Sequence, residues 1–282
     1  MGTQGREWIS RLPAELARQR AVLDGLLDLC ESDQEVGWLV IGCSVARGTG
    51  DRLSDLDLAV GIDTRADFPA AVRRVRLGVE RLGELVDGYQ HQLPGVPPPH
   101  ERIFVQFADR GQVDLVVFPA STPAGSVPDV VVLHDPDGLL VLKDPRAPVE
   151  PDRIREWAFR GWCALVDVGK YLRRRSPWEA LERLHEARTQ LWQLYAAAHG
   201  VPDPQYGITS ILDFAPGLDL PEMRETVADL DPVRLLSAAR RTASLLDGIG
   251  PLLPDRQRAV LPDAMARFVL DDLSALEVPP PT

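Results

Sequence analysis

The chain contains little cysteine, little histidine and few aromatic residues. Its 282 residues include three cysteines and five histidines, and aromatic residues make up 6% of the sequence. Cys30, Cys43 and Cys163 are widely separated, which argues against a disulfide framework and against the closely spaced ligands of a zinc site. We therefore expect free thiols in a reducing compartment.

Long hydrophobic runs are also missing. The first residues, Met1 to Trp8, have no hydrophobic signal core, and no run approaches the roughly 20 apolar residues that a membrane helix needs. These features predict a cytoplasmic protein with no membrane-spanning segment.

Basic residues are outnumbered by acidic ones. The sequence has 31 Lys and Arg against 42 Asp and Glu, which gives a net charge of −11. Because proteins that bind nucleic acids rely on Lys and Arg to neutralise phosphates, this balance argues against a nucleic-acid partner. An acidic surface suits a small cationic substrate, and it also serves solubility alone.

The most informative segment that is present runs from residue 41 to residue 60, where a Gly/Ser-rich turn leads into two aspartates. Asp55 and Asp57 are two positions apart, so in a strand both carboxylates lie on one face and can reach the same cation. Oxygen ligands of this kind are those that Mg²⁺ prefers, although such a pair also occurs on exposed strand ends. The alternate residues would anchor the strand in a core: Leu56, Leu58 and Val60.

The turn before the acids has the composition of a phosphate-binding loop. Gly42, Gly48 and Gly50 allow the backbone amides to approach phosphate oxygens, while Ser44 adds a hydroxyl and Arg47 a positive charge. A triphosphate could divide its oxygens between this turn and metal ions held by the acids. The segment therefore indicates nucleotide chemistry.

The same segment resembles the nucleotidyltransferase superfamily that includes DNA polymerase beta, and it is most similar to the antibiotic adenylyltransferases of the aminoglycoside and streptomycin type. Their pattern is roughly Gly-Ser, Ala-Arg-Gly and Ser-Asp-x-Asp-Leu. One position departs from it, because Cys43 occupies the place of the glycine before the serine. The matching residues are Ser44, Ala46, Arg47, Gly48, Ser54, Asp55, Asp57 and Leu58.

A third acid, Asp114, lies in an apolar run that follows a turn at Asp109-Arg110-Gly111. Residues 102–108 and 112–118 therefore predict a hairpin. An unpaired carboxylate is costly to bury, so Asp114 needs a partner such as a metal or a substrate hydroxyl. The resemblance implies that it is the catalytic base or a third metal ligand.

The order of elements predicts two domains. An α/β (α+β) domain with a mixed sheet is expected at residues 1–147, and an all-α helical bundle at residues 148–282, divided by a proline-rich stretch. The resemblance implies that the first is the catalytic nucleotidyltransferase domain and that the second completes the site. The predicted helices are 12–31, 66–87, 152–174 and 178–199, and the predicted strands are 35–41, 55–60, 102–108, 112–118, 129–134 and 139–143.

Two basic residues of the helical half, Lys170 and Arg188, are candidates for a functional role. Lys170 lies beside the apolar stripe of its helix and is our candidate for a nucleotide contact, with a solvated basic edge as the alternative. Arg188 lies on a leucine-rich stripe, where it either pairs with a buried acid or lines a cavity.

The resemblance implies transfer of a nucleoside monophosphate, with ATP as the expected nucleotide, to a hydroxyl of a small and possibly cationic molecule. Two Mg²⁺ ions are expected at Asp55, Asp57 and Asp114, and pyrophosphate would be released. Two alternatives remain open: an antitoxin-like regulatory protein and a catalytically silent nucleotide-binding protein.

Overall fold

The structure, a computed structural model, describes residues 2–92, 100–123, 130–142, 148–218 and 222–277. The chain forms two compact units, Met1–Asp144 and Pro145–Thr282. The predicted start of a strand at Asp129 and the predicted boundary at residues 143–147 lie outside the described residues.

The first unit is built on a six-stranded mixed sheet with the strand order β3-β4-β5-β2-β1-β6. β2 and β5 are parallel, and the other neighbouring strands are antiparallel. The strands are β1 (Val36–Ile41), β2 (Leu56–Ile62), β3 (Leu85–Gln92), β4 (Glu101–Phe107), β5 (Gln112–Pro119) and β6 (Val131–His134). The helices of this unit are α1 (Gly2–Ser10), α2 (Ala17–Ser32), α3 (Cys43–Ala46) and α4 (Phe68–Glu80).

Burial alternates along the central strands, so the sheet has a core face and a second, partly exposed face. As predicted for β2, Leu56, Leu58 and Val60 are buried, and Asp57 lies on the other face with intermediate exposure. β4 and β5 alternate in the same way. The core face packs against apolar residues of α2 and α4, and this packing holds the acid-bearing strands rigidly.

The predicted first helix is confirmed in its apolar stripe and differs at its start. Leu16, Val22, Leu26 and Leu27 are all buried, but α2 begins at Ala17 after a single turn at Ala14–Leu16. The preceding Pro13 cannot continue a helix from α1, because its ring removes a backbone donor. The short helix α1 was not predicted.

The predicted helix 66–87 is wrong beyond residue 80. α4 is capped by Asp67, whose side chain accepts a hydrogen bond from the Ala70 amide, and ends at Glu80. The chain then turns at Gly83, where a Cβ would lie 2.8 Å from the Phe107 ring, and continues as the edge strand β3. Val86, within the predicted helix, lies on this edge strand and is 61% exposed. This segment therefore forms a strand paired with β4, although its apolar residues have helical spacing.

The predicted strand 139–143 is also wrong within its described part, where only Leu142 forms an isolated bridge. The turn predicted before it does form, with Gly138 at a φ of 66°. The side chain of Asp135 accepts hydrogen bonds from the amides of Leu139 and Leu140. These contacts fold the chain back on the turn and take the place of ladder bonds.

The regular elements described in the second unit are all helices, and the two helices predicted here, 152–174 and 178–199, match α5 and α6 within two residues. The apolar stripe of α5 beside Lys170, from Ile154 to Leu172, is buried. The predicted fold class, an α+β unit with a mixed sheet followed by an all-α unit, is confirmed. The helices are α5 (Pro151–Arg173), α6 (Pro177–Ala198), α7 (Ile208–Phe214), α8 (Pro232–Asp247), α9 (Asp255–Arg258) and α10 (Asp263–Ala275).

Across the parts of the chain that the structure describes, every helix is too short or too polar to cross a membrane.

Candidate active site

The structure brings the three predicted aspartates to one region of the sheet. Asp57 of β2 and Asp114 of β5 are directly paired in the parallel ladder, so their side chains lie on the same face of adjacent strands. Asp55 precedes β2 by one residue and is partly buried. The charges of Asp55 and Asp114 both act on Asp57, which shows that the three carboxylates are close.

Asp57 is the most perturbed of these acids. Burial, followed by the charge of Asp55, raises the pKa of Asp57 to about 6, and the charge of Asp114 acts in the same direction. A hydrogen bond from Cys43 and the charge of Arg102 oppose this rise in the pKa. Negative charge is therefore concentrated where a cation would relieve it.

Cys43, the one departure from the family pattern, takes up a glycine-like conformation. Its φ is 57°, in the left-handed region that L residues rarely adopt and that glycine enters freely. Its thiol donates a hydrogen bond to Asp57, and burial, then the charge of Asp57, raises the pKa of Cys43 to about 12. Cysteine thus adopts here a backbone conformation that glycine enters freely, and the thiol remains protonated.

The backbone of the turn is closed by its own hydrogen bonds. The Gly42 amide donates to the Asp57 carbonyl at 2.9 Å, so this N–H joins the turn to β2. The Thr49 amide donates to the Ser44 carbonyl at 3.0 Å. Gly48, at a φ of 73°, is the glycine whose conformation the turn requires. A phosphate contact at this turn would come from other amides than that of Gly42.

Ser44 and Arg47 lie in and next to the short helix α3, and both are partly buried. The charge of Arg47 lowers the pKa of Cys43, which places the guanidinium near the contact between Cys43 and Asp57. The arginine is thus near Cys43 and Asp57, and the binding roles of Ser44 and Arg47 stay predictions.

Asp114 has the partner that the sequence requires, and it is Arg102 of β4. The Arg102 Nε donates to Asp114 Oδ1 at 2.7 Å, and Nη2 donates to Oδ2, so the guanidinium grips both oxygens. The Asp114 side chain is 12% exposed. Sequence reasoning missed Arg102, although its position on the first strand of the predicted hairpin gave the signal.

A second group of residues that the sequence did not reveal holds the loop before Asp55. The Gln19 side chain donates to the carbonyls of Ser54 and Asp51, at 2.9 and 3.3 Å. Arg18 donates to the carbonyls of Arg52 and Asp109, at 2.7 and 2.8 Å. Helix α2 therefore fixes both the entry to the acid pair and the tip of the hairpin that carries Asp114.

The donor set suits Mg²⁺ in its chemistry. In the described ranges, no cluster of three or more His, Cys, Asp or Glu side chains is arranged to enclose a metal ion by itself. Mg²⁺ is usually held by one or two carboxylates together with substrate phosphates, which Asp55 and Asp57 can provide without such a cluster. The charge concentrated at Asp57 fits such an ion.

The two basic residues of the second unit have local partners. Lys170 forms an ion pair with Asp167, and its ammonium lies 4.6 Å from the centre of the Tyr171 ring. Arg188 Nε donates to Thr226 Oγ1 at 3.0 Å. One alternative from the sequence was that Arg188 pairs with a buried acid, and the partner found here is a hydroxyl. Burial lowers the pKa of Arg188. The nucleotide contact of Lys170 stays a prediction.

Comparisons with known proteins give one distant likeness. No family model and no curated protein matches the chain. A solved structure of an aminoglycoside 6-adenyltransferase from Bacillus subtilis matches with a TM-score of 0.38 and 14% sequence identity, over 92% of this chain and 99% of that chain. The likeness is remote, and the fold class rests on the strand order and the two units described above.

Proposed function

We propose that this chain is a metal-dependent nucleotidyltransferase that moves a nucleoside monophosphate, with ATP as donor, to a hydroxyl of a small molecule. The single observation that carries the proposal is the in-register pairing of Asp57 with Asp114, with Asp55 next to them. Two carboxylates in register on adjacent strands, with a third just before β2 and a turn rich in glycine and serine, suit phosphoryl-type transfer.

Asp55 and Asp57 would hold the nucleotide-bound Mg²⁺, and Asp114 would join them at a second ion. Bound Mg²⁺ supplies charge neutralisation at the phosphates and at the leaving pyrophosphate. Burial, followed by the charges of Asp55 and Asp114, raises the pKa of Asp57 to about 6, and a bound cation would offset both effects, which supports such a site.

The reaction needs a proton acceptor, and Asp114 would take this role. As the acceptor oxygen bonds to the α-phosphorus, the bond from that phosphorus to the pyrophosphate oxygen breaks and the hydroxyl proton leaves. Arg102 occupies one lone pair on each oxygen of Asp114. A carboxylate has about four lone-pair sites, so Asp114 can still receive this proton while Arg102 fixes its orientation.

The remaining binding roles follow the predicted residues. Ser44 and Arg47 would contact the phosphates from the turn, and Lys170 would add a contact from the helical unit. The expected phosphate contact of Gly42 is not carried forward, because its amide donates to the Asp57 carbonyl. Most of the rate acceleration would come from positioning and charge stabilisation, since the transfer leaves little covalent work for the protein.

For the acceptor we propose a hydroxylated molecule that carries a positive charge. The net charge of −11 supports a cationic small molecule and disfavours a nucleic acid. An aminoglycoside is one such molecule, and the solved neighbour is named for acting on that class. Use of ATP is consistent with a cytoplasmic location.

A direct test is release of pyrophosphate from Mg-ATP, measured with a panel of aminoglycosides and hydroxylated amines. We expect release that is lost on chelation and lost in Asp57→Asn, while circular dichroism shows an intact fold. Asp63→Asn is the matched control. Asp63 directly follows β2, at the end of the strand away from Asp55 and Asp57, and accepts hydrogen bonds from Arg65. Turnover by Asp57→Asn close to that of the unchanged protein would refute the proposal.

The contacts at the acids also favour a second candidate, a catalytically silent nucleotide-binding protein. Both oxygens of Asp114 are held by Arg102, and the Cys43 thiol donates to Asp57. If these contacts persist with nucleotide bound, ATP would bind without turnover. Calorimetry separates the two candidates, because the silent protein would bind ATP equally well with and without Mg²⁺.

A further inference from the structure

The face of the sheet that carries the acids continues across β4 and β3. The register pairs Asp114 with Phe104 and Phe104 with Tyr89, so one row of side chains runs Asp57, Asp114, Phe104, Tyr89. Because neighbouring strands are about 4.8 Å apart, Tyr89 lies roughly 10 Å from Asp114. This row connects the acids to an aromatic side chain over the length of a small two-ring molecule.

Tyr89 is exposed and held in place. It is 64% exposed, and its ring stacks on that of His91 with 5.2 Å between the ring centres and 27° between the planes. His91 is two residues further along β3, so both rings lie on the same face. A tyrosine supported in this way offers a flat apolar surface with little side-chain freedom to lose on binding.

A row of polar side chains borders the tyrosine row. The register pairs Asp87 with Gln106 and Gln106 with Gln112. Gln112 Nε2 donates to Gln106 Oε1 at 2.7 Å, and Gln106 Nε2 donates to the carbonyls of Phe107 and Gly111. The glutamines are thus oriented by each other, and the exposed carboxylate of Asp87 stands beside Tyr89 at the sheet edge.

The charge of this surface is negative. Its rows carry three carboxylates, those of Asp57, Asp87 and Asp114, against the guanidinium of Arg102. Asp55 adds a fourth carboxylate just before β2. A protonated amine is attracted both to such carboxylates and to the face of a tyrosine ring. A neutral ring would gain the stacking contact alone.

We infer that Tyr89, with Asp87 beside it, forms the binding surface for the acceptor: a ring molecule with hydroxyl groups and a protonated amine. One ring stacks on Tyr89, the amine is neutralised by Asp87, and a hydroxyl at the other end of the molecule reaches Asp114. Tyr89 is a specificity-determining residue, and His91 is a positioning residue for its ring. This inference rests on the proposed function in one respect: the hydroxyl that reaches Asp114 is the one to which the nucleotide is transferred.

Binding can be measured without turnover, with neamine, a two-ring aminoglycoside fragment, as the probe. By ligand-observed NMR, we expect Tyr89→Ala to weaken neamine binding about ten-fold and Tyr89→Phe to weaken it less than about two-fold, because phenylalanine keeps the ring. Val86→Ala, at another exposed residue of β3, is the control and should bind as the unchanged protein does. Cellobiose, which has two rings and no charge, should bind more weakly than neamine.

The same variants separate this inference from the proposed function. If Tyr89→Ala binds neamine as tightly as the unchanged protein, or if neamine does not bind the unchanged protein, the inference is overturned whatever the activity. If neamine binding depends on Tyr89 but Mg-ATP yields no pyrophosphate with any acceptor, the surface stands and the proposed function fails. Tyr89→Ala should also keep its affinity for Mg-ATP, because Tyr89 is distant from the turn; a loss of that affinity equal to the loss for neamine would contradict a role in acceptor binding alone.

Discussion

The thiol of Cys43 donates a hydrogen bond to the carboxylate of Asp57, and it does so from a left-handed backbone conformation. One residue therefore forms the bend that a glycine would form and also contacts the most perturbed acid of the site. A cysteine at this bend therefore adds a thiol beside Asp57 that a glycine would lack.

The backbone at Cys43 leads to a prediction about stability. We expect Cys43→Gly to change the free energy of unfolding by less than about 1 kcal/mol, because relief of the positive φ is offset by the greater freedom of glycine in the unfolded chain. Cys43→Val should lose more than about 2 kcal/mol, since a β-branched side chain is poorly tolerated at this φ. Urea unfolding of both variants tests this, and equal stabilities would show that φ is not positive here.

Asp57 should make stability depend on pH. Its pKa in the folded protein, about 6, is above the ordinary value of 3.8, so protonation favours the folded state. This contribution is greatest below pH 3.8 and is lost as the pH rises through 6. At pH 7.5, Asp57→Asn should therefore raise the free energy of unfolding, by about 1–2 kcal/mol after allowing for solvent screening.

The comparison that decides this prediction is urea unfolding of the unchanged protein and Asp57→Asn at pH 5 and pH 7.5. The gain in stability should be smaller at pH 5 than at pH 7.5. A gain that is the same at both values would mean that Asp57 titrates in its ordinary range.

Substitutions of Arg102 and Asp114 should have coupled effects on stability, because the two side chains form an ion pair. Arg102→Ala leaves a carboxylate that is 12% exposed without its partner, so we expect a loss of about 1–3 kcal/mol in the free energy of unfolding. Adding Asp114→Asn should recover part of that loss, because the amide carries no charge. The stability of Arg102→Lys should lie between those of the unchanged protein and Arg102→Ala, since lysine keeps the charge but cannot bind both carboxylate oxygens in a bidentate manner. A double-mutant cycle measures the coupling, and additive effects would contradict the contact.

Gly61 of β2 lies against the buried ring of Trp38, which also donates from Nε1 to the Ala120 carbonyl at 3.1 Å. A Cβ at Gly61 would lie 2.1 Å from that ring. We expect Gly61→Ala to cost about 1–3 kcal/mol through overpacking. When Trp38 is also replaced by leucine, Gly61→Ala should reduce stability much less, because the clashing ring is gone. Thermal unfolding of the single and double variants measures this difference. A cost that does not depend on Trp38 would place its cause elsewhere.

Most of the first unit could be read from the sequence because its signals are local. Alternation in residues 55–60 predicts that Leu56, Leu58 and Val60 are buried, and the structure confirms it. The predicted hairpin also forms, as β4 and β5. The exception is residues 81–92, where helical spacing continues past Glu80. There the pairing of an edge strand with β4 outweighed a pattern that local sequence alone supported.

The partners of the site residues could not be predicted in the same way. Arg102 is twelve residues from Asp114, and only the antiparallel register of β4 and β5 brings its guanidinium to that carboxylate. Likewise Gln19 reaches the loop before Asp55 because α2 packs against the core face of the sheet. The roles of Asp55, Asp57, Asp114, Ser44, Arg47 and Lys170 stay predictions that the proposed assays address.

The sequence by itself determined the positions of the acids, the turn before them and the division into a sheet-containing half and a helical half, because each is encoded in residues close together in the chain. The tertiary structure alone decided that Asp57 pairs with Asp114, that Arg102 grips Asp114, and that Tyr89 shares a face with them. Strand register sets these relationships, and register depends on how the whole sheet buries its apolar face.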